Sequence, residues 1–332
     1  MACKGSGVRI SYSPPILKKR NDLALFSISD DTRRMSVLLL ALILGIPAPS
    51  PQPPVSFFVS HGRTLAYQTY GAGKVTWILL AGGPGYEPRY MDAAARMLAS
   101  NTRRIVLLNQ RGTGLSKAAG TDSPRLTVNG AISDLEALRV ALRLNTVRLI
   151  GHSWGGYLAM AYASQHSKRV RAMVLLDSLG DDVRSWLPVT DEMMAALTPE
   201  ERRNASLVCT SLKPSDACDI ADLPSFFFDR HNVAAFIQSI DPTGPQIDNE
   251  LINDAVTLDI MRRPHLALLS GSRIPALVVF GQADPYRHPA QHDITALLAQ
   301  AQIVIIPRAG HFTWFEQPAI FSRTVIPFLN AH

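Results

Sequence analysis

Thr146-Val147-Arg148-Leu149-Ile150-Gly151-His152-Ser153-Trp154-Gly155-Gly156 joins two kinds of pattern within eleven residues. Residues 146–151 form a short, mainly apolar run of strand length, and from Trp154 to about Gln165 the chain reads as a helix. Between them lies a Gly-x-Ser-x-Gly turn, in the strand–turn–helix setting that a nucleophilic serine requires. A side chain that must stand clear of a sheet needs a tight, strained turn, and strand and helix then approach too closely for side chains at 151 and 155. The same turn aims Ser153 and the backbone N–H of Trp154 at one small volume above the helix N-terminus. The partial positive charge there favours an oxyanion.

Outward from this junction the pattern is regular. Phe57 to Ser60 and Thr64 to Tyr70 are β-rich runs separated by His61-Gly62-Arg63, a hairpin signal. Val75 to Ala81 is apolar and ends in Gly82-Gly83-Pro84-Gly85; residues 88–100 read as a helix, and Arg104 to Asn109 as a strand. A helix over about 129–143 places Ile132, Leu135, Leu138 and Leu142 on one face. Strand Val170 to Asp177 follows. After a break come strand Pro275 to Gly281, a helix near 289–300, strand Gln302 to Pro307 and a last helix near 316–330. Apolar strands alternating with amphipathic helices predict an α/β fold, a mostly parallel central sheet with helices on both faces. The core is expected over 55–178 and 274–332. Residues 179–273, with acidic helical pieces, Phe226-Phe227-Phe228 and the Pro/Gly-rich 241–245, are expected as an inserted helical lid.

A serine hydroxyl is a weak nucleophile and needs a base oriented by a carboxylate. The order serine, acid, histidine points to Asp284, just past the strand ending at Gly281, and to His311, just past the strand ending at Pro307. The interval between them holds one helix and one strand, so both residues fall on neighbouring loops at the edge where open α/β sheets place ligands. Asp177, at another strand end, is an alternative acid. The oxyanion donors are expected at Trp154 and in the Gly82-Gly83 loop. His152 reads as support for the turn, and His288 and His292 as solvated residues of a polar helix.

The 332 residues are 47% hydrophobic and 18% charged, which excludes disordered, collagen-like and coiled-coil chains. Residues 1–34 carry seven basic and three acidic residues of a chain whose net charge is +6, so the body is nearly neutral and no nucleic-acid face is indicated. Residues 1–54 read as a leader. Arg33-Arg34 precede an apolar run from Val37 to Ile46, too short to span a membrane, and a Pro-rich stretch follows. A secretion signal is expected, with a twin-arginine likeness in Thr32-Arg33-Arg34; the alternative is that Met35 is the true start. In an exported protein Cys209 and Cys218 are placed to form a local disulfide, and two independent thiols are the other reading. No His/Cys spacing suggests a metal site, and no cofactor is expected.

Together these residues resemble an α/β-hydrolase, and within that fold the prolyl aminopeptidase (proline iminopeptidase) group. Gly82-Gly83-Pro84-Gly85 is similar to that group's His-Gly-Gly-Pro-Gly loop, and Gln110-Arg111-Gly112-Thr113-Gly114-Leu115-Ser116 to its Asp-Gln-Arg-Gly-x-Gly-x-Ser turn. Asp134 to Arg139, leading into Gly151 to Gly156, is similar to its helix and elbow. Ala81 and Asn109 depart from the leading His and Asp of these motifs. The resemblance implies hydrolysis through an acyl-enzyme on Ser153, Asp284 and His311, with release of an N-terminal residue, often Pro, from small peptides. It also implies lid glutamates that hold the substrate amine, for which Glu192, Glu200, Glu201 and Glu250 are available. An ester or amide hydrolase of the same fold is the alternative reading, and a non-catalytic ligand-binding homologue a third.

Overall fold

The computed structural model describes residues 52–119, 126–182, 187–201, 203, 223–240 and 250–332. Cys3 and the rest of the leader to residue 51, Cys209 and Cys218, and the Pro/Gly-rich 241–245 lie outside the described residues. Strands β1 (Val55–Ser60) and β2 (Arg63–Tyr70) form the expected hairpin. His61 and Gly62, with φ of 49° and 75°, supply the two left-handed residues that a two-residue turn requires. Next come β3 (Val75–Leu80), α1 (Asp92–Leu98), β4 (Arg103–Leu108) and α2 (Val128–Ala141). The elbow joins β5 (Val147–His152) to α3 (Trp154–Gln165), and β6 (Val170–Leu176) follows.

Between β6 and β7 (Ala276–Gly281) the described chain contains α4 (Leu187–Ala196), α5 (Asn232–Ile240) and α6 (Glu250–Arg262). The chain closes with α7 (Arg287–Leu297), β8 (Ala301–Ile306), α8 (Thr313–Glu316) and α9 (Pro318–Ala331). Two helices differ from the periodicity. The expected 88–100 helix is a 3₁₀ turn over Pro88–Met91 followed by α1, and the last helix, expected near 316–330, begins at Pro318 after the separate short α8. A proline at the first turn lacks the N–H a continuing helix would need and biases the residue before it away from helical φ/ψ.

The strands form one eight-stranded sheet in the order β1-β2-β4-β3-β5-β6-β7-β8. The ladder from β4 to β8 is parallel, and only β2 runs against its neighbours. Alternate strand residues feed two apolar layers. Ile78, Leu80 and Leu149 pack with α2, α3, α6 and α7, whereas Trp77, Leu79 and Ile150 pack with α1, α4, α5 and α9. The turn after β4 is locked into this frame by a buried ion pair. Arg111 donates from Nη2 and Nε to Asp134 of α2 at 2.6 and 3.0 Å, and the Ser60 hydroxyl donates to the same carboxylate at 2.5 Å. That pair joins the 110–116 turn to the helix that carries the 134–139 motif.

Candidate active site

Ser153 sits between β5 and α3 with φ 53° and ψ −121°, the strained corner that the turn demands, and is 7% exposed. Its backbone N–H donates to the Leu176 carbonyl at 2.9 Å, extending the β5–β6 ladder by one residue. The glycines are steric necessities. A Cβ at Gly151 would lie 2.2 Å from the Gly155 carbonyl oxygen, and one at Gly155 2.2 Å from the Leu80 carbonyl oxygen. Trp154 is the first residue of α3, where the backbone N–H has no acceptor within the helix.

Asp284 and His311 meet directly, with His311 Nδ1 2.9 Å from Asp284 Oδ1. A carboxylate oxygen accepts, so the hydrogen of this bond is on Nδ1. Their two loops are zipped together: Gln282 N–H donates to Ile306 O and Ala283 N–H to Ala309 O, both at 2.9 Å. Both residues are 4% exposed. Asp177, the alternative acid, is fully buried and turned elsewhere. It accepts from Gly281 N–H at 2.7 Å and from the Thr313 hydroxyl at 3.0 Å. Burial, reinforced by the negative charge of Asp284, pushes the Asp177 carboxyl well above the usual range.

The imidazole of His152, one residue before Ser153, links the elbow to the His311 loop. The two rings are 4.7 Å apart between centroids, and His152 Nε2 lies 2.9 Å from the His311 carbonyl oxygen. Facing the elbow is the 82–83 loop, where a Cβ at Gly82 would lie 3.1 Å from Ser153 Cβ. Gly82, expected among the oxyanion donors, gives its N–H to the Tyr90 hydroxyl at 2.5 Å. Gln110 bridges the loop and the elbow, donating Nε2–H to Ala81 O at 2.8 Å while its Oε1 accepts Trp154 Nε1–H at 3.0 Å.

A model of the alpha/beta hydrolase fold matches residues 78–318, which takes in the end of β3, every strand from β4 and all of the residues just described. The chain belongs to the alpha/beta hydrolase family. Proline iminopeptidase of Levilactobacillus brevis is 26% identical over 292 residues, covering 80% of this chain and 94% of that one. The structure of a proline iminopeptidase-related protein of Thermus thermophilus superposes with a TM-score of 0.67 at 21% identity, covering 85% of this chain and 98% of that one. An esterase of Exiguobacterium antarcticum superposes at 0.62 with 15% identity, covering 83% and 99%. At these identities the two structural likenesses are likenesses of fold.

In this alpha/beta hydrolase the Phe226-Phe227-Phe228 run divides three ways. The Phe226 ring lies 5.0 Å from the His311 ring, Phe227 packs on Phe236 and Phe312, and Phe228 is exposed. Glu192 and Glu200 are exposed, and Glu201 pairs with Arg230 and closes a capping box with Thr198. The Glu250 side chain lies outside the described residues. His288 and His292 are exposed. Among the described residues no three His, Cys, Asp or Glu side chains group as metal ligands, and no helix is long and apolar enough to cross a membrane. Tyr90, Gln110 and the contact of Phe226 with His311 were not legible beforehand, because each acts across the fold from an irregular segment. For Gln110 a signal existed, its place in the 110–116 turn motif.

Proposed function

We propose that this alpha/beta hydrolase is a serine hydrolase acting through an acyl-enzyme, and that it is an aminopeptidase releasing an N-terminal residue, often Pro, from small peptides. The observation that carries the chemistry is the Asp284–His311 contact at 2.9 Å on a loop held against the residue preceding Ser153. In this reading Ser153 Oγ attacks the substrate carbonyl, and His311 Nε2 accepts its proton. Asp284 fixes the imidazole through Nδ1, and the tetrahedral oxyanion accepts from the N–H groups of Trp154 and of the 82–83 loop. With Gly82 N–H already given to Tyr90, Gly83 is the loop donor. His311 then returns the proton to the leaving amine, and water repeats the sequence to release the acid.

In this reading the acyl residue meets the aromatic rings beside the base. Phe226 and Tyr286 lie 5.0 and 5.7 Å from His311 between ring centroids, which suits a compact apolar residue such as Pro. The named activity of the Levilactobacillus relative supports the peptidase reading. An ester or amide hydrolase is the second reading, favoured by one observation: of the described lid glutamates, Glu192 and Glu200 are exposed and Glu201 is held by Arg230 and Thr198 instead of gathering at the site. Turnover of a prolyl anilide against short-chain nitrophenyl esters decides between them; esters cleaved with no anilide turnover would remove the peptidase reading. The residues between β6 and β7 are proposed as the lid, and the leader as an export signal, which N-terminal sequencing of the mature protein tests.

A further inference from the structure

Behind the nucleophile runs a buried chain of hydrogen bonds that the reaction sequence above does not use. His152 Nε2 lies 2.9 Å from the carbonyl oxygen of His311, its Nδ1 lies 2.7 Å from the Tyr90 hydroxyl, and that hydroxyl accepts Gly82 N–H at 2.5 Å. Chemistry assigns every proton. A peptide carbonyl only accepts, so His152 Nε2 carries hydrogen. Burial, with His311 alongside, holds the His152 pKa well below the usual imidazole value, so the ring is neutral and Nδ1 is an acceptor. The Tyr90 hydroxyl therefore donates to Nδ1, and its oxygen is left to accept from Gly82. Donation runs one way from Gly82 to Tyr90 to His152 to the His311 carbonyl.

The two ends of this chain are the two halves of the site. Gly82 begins the loop proposed to hold the oxyanion, and His311 is the proposed base. The three atoms nearest a Cβ at Gly82 would be Tyr90 Oη at 2.9 Å, His152 Nδ1 at 3.1 Å and Ser153 Cβ at 3.1 Å, so the relay passes directly behind the nucleophile. Tyr90 and His152 are 6% and 2% exposed, and water does not compete for these bonds. His152 is further boxed in by Trp314 and Phe312, with ring centroids 4.7 and 5.7 Å away, which leaves the imidazole little freedom to turn.

We propose that Tyr90 and His152 are positioning residues that tie the oxyanion loop to the base loop. In a Tyr90→Phe protein Gly82 loses its acceptor and the Ala81–Gly82 peptide is held only at its carbonyl, by Gln110, so the loop that carries the next N–H, that of Gly83, is less firmly aimed at the oxyanion. The ground-state carbonyl depends little on that donor and the transition state strongly, so the loss falls on kcat. The inference rests on the acyl-enzyme reading.

The test measures kcat and KM on whichever substrate the panel selects, per active site titrated with a fluorophosphonate probe, so that misfolded protein is not counted. Tyr90→Phe is expected to lower kcat by about 10- to 100-fold with KM within about twofold, somewhat less than removal of an oxyanion donor outright. His152→Leu removes the acceptor for the Tyr90 hydroxyl and the donor to the His311 carbonyl, so it is expected to match that loss and stands in if Tyr90→Phe does not fold. The double variant should lose no more than either single one, because both cut the same chain. A Tyr90→Phe kcat within twofold of the native value, or losses that multiply in the double variant, would overturn the relay. Probe labelling or turnover that survives in Ser153→Ala would instead overturn the acyl-enzyme reading beneath it, and the relay with it.

Discussion

Two buried carboxyl groups stand beside the base, and hydrogen bonding separates their tasks. Asp284 Oδ1 faces His311 Nδ1, whereas both oxygens of Asp177 are occupied by Gly281 N–H and the Thr313 hydroxyl. Asp284→Asn is therefore expected to lower kcat/KM by roughly 10³- to 10⁴-fold, since an amide stabilises the wrong imidazole tautomer. Asp177→Asn keeps an oxygen for Gly281 N–H and removes only a carboxyl that burial already disfavours as an anion, so its kcat/KM should stay within about 10-fold of native. The reverse ranking in steady-state kinetics would exchange their roles. At the elbow, Gly155→Ala drives a methyl to 2.2 Å from the rigid Leu80 carbonyl. It is expected to lose more than about 3 kcal/mol in denaturant unfolding, a penalty in the large class reserved for overpacking.

Helix α2 is held to α3 by a polar knot as well as by its apolar face. Glu136 accepts from Arg139 Nε at 2.9 Å, from the Tyr162 hydroxyl at 2.7 Å and from Arg169 at 2.7 Å. Above all the Arg139 hydrogen bond, and then Tyr162 and the two cationic charges, lower its pKa from 4.5 to about 2 against the opposing effect of burial. A carboxylate with a depressed folded value stabilises the protein fully above its unfolded value and loses that contribution as pH falls towards about 2. Glu136→Gln should thus be less stable than native by about 1–2 kcal/mol near neutral pH, after allowance for its partial exposure. The gap should narrow progressively as pH falls from the unfolded value through about 2, as read by urea unfolding at several pH values. An equal gap at every pH would show that the ion cluster contributes nothing there. At the N-terminus of the same helix, Thr127 caps α2 by accepting Gly130 N–H at 3.0 Å, a local device the helix periodicity alone did not reveal.

Across the whole molecule, the segment between β6 and β7 is clamped to the His311 loop by one carboxylate and by a direct backbone bond. Glu316 of α8 accepts Gly310 N–H at 2.6 Å on the His311 loop, and Phe228 and Asp229 N–H at 3.2 and 2.9 Å on that segment. His311 N–H also donates to Phe226 O at 2.7 Å. Glu316→Ala strands several backbone donors at once. Faster amide exchange at 226–232 is expected, with a loss of about 10-fold in kcat/KM; unchanged exchange there would show that the clamp is dispensable.

Sequence alone determined the α/β alternation, the elbow, and the positions of Asp284 and His311, because each is a local rule: strand apolarity, helical period, a glycine-bracketed turn, a residue just past a strand end. The structure alone decided which acid faces the imidazole, since Asp177 and Asp284 both end strands and differ only in what lies opposite. It also decided that Gly82 N–H is given to Tyr90, that Phe226 stands over His311 while Phe228 points to solvent, and that Glu201 serves a helix cap. These outcomes depend on how loops from distant parts of the chain pack at one sheet edge, and a hydrogen bond between residues 82 and 90, or 152 and 311, leaves no period or spacing in the linear order.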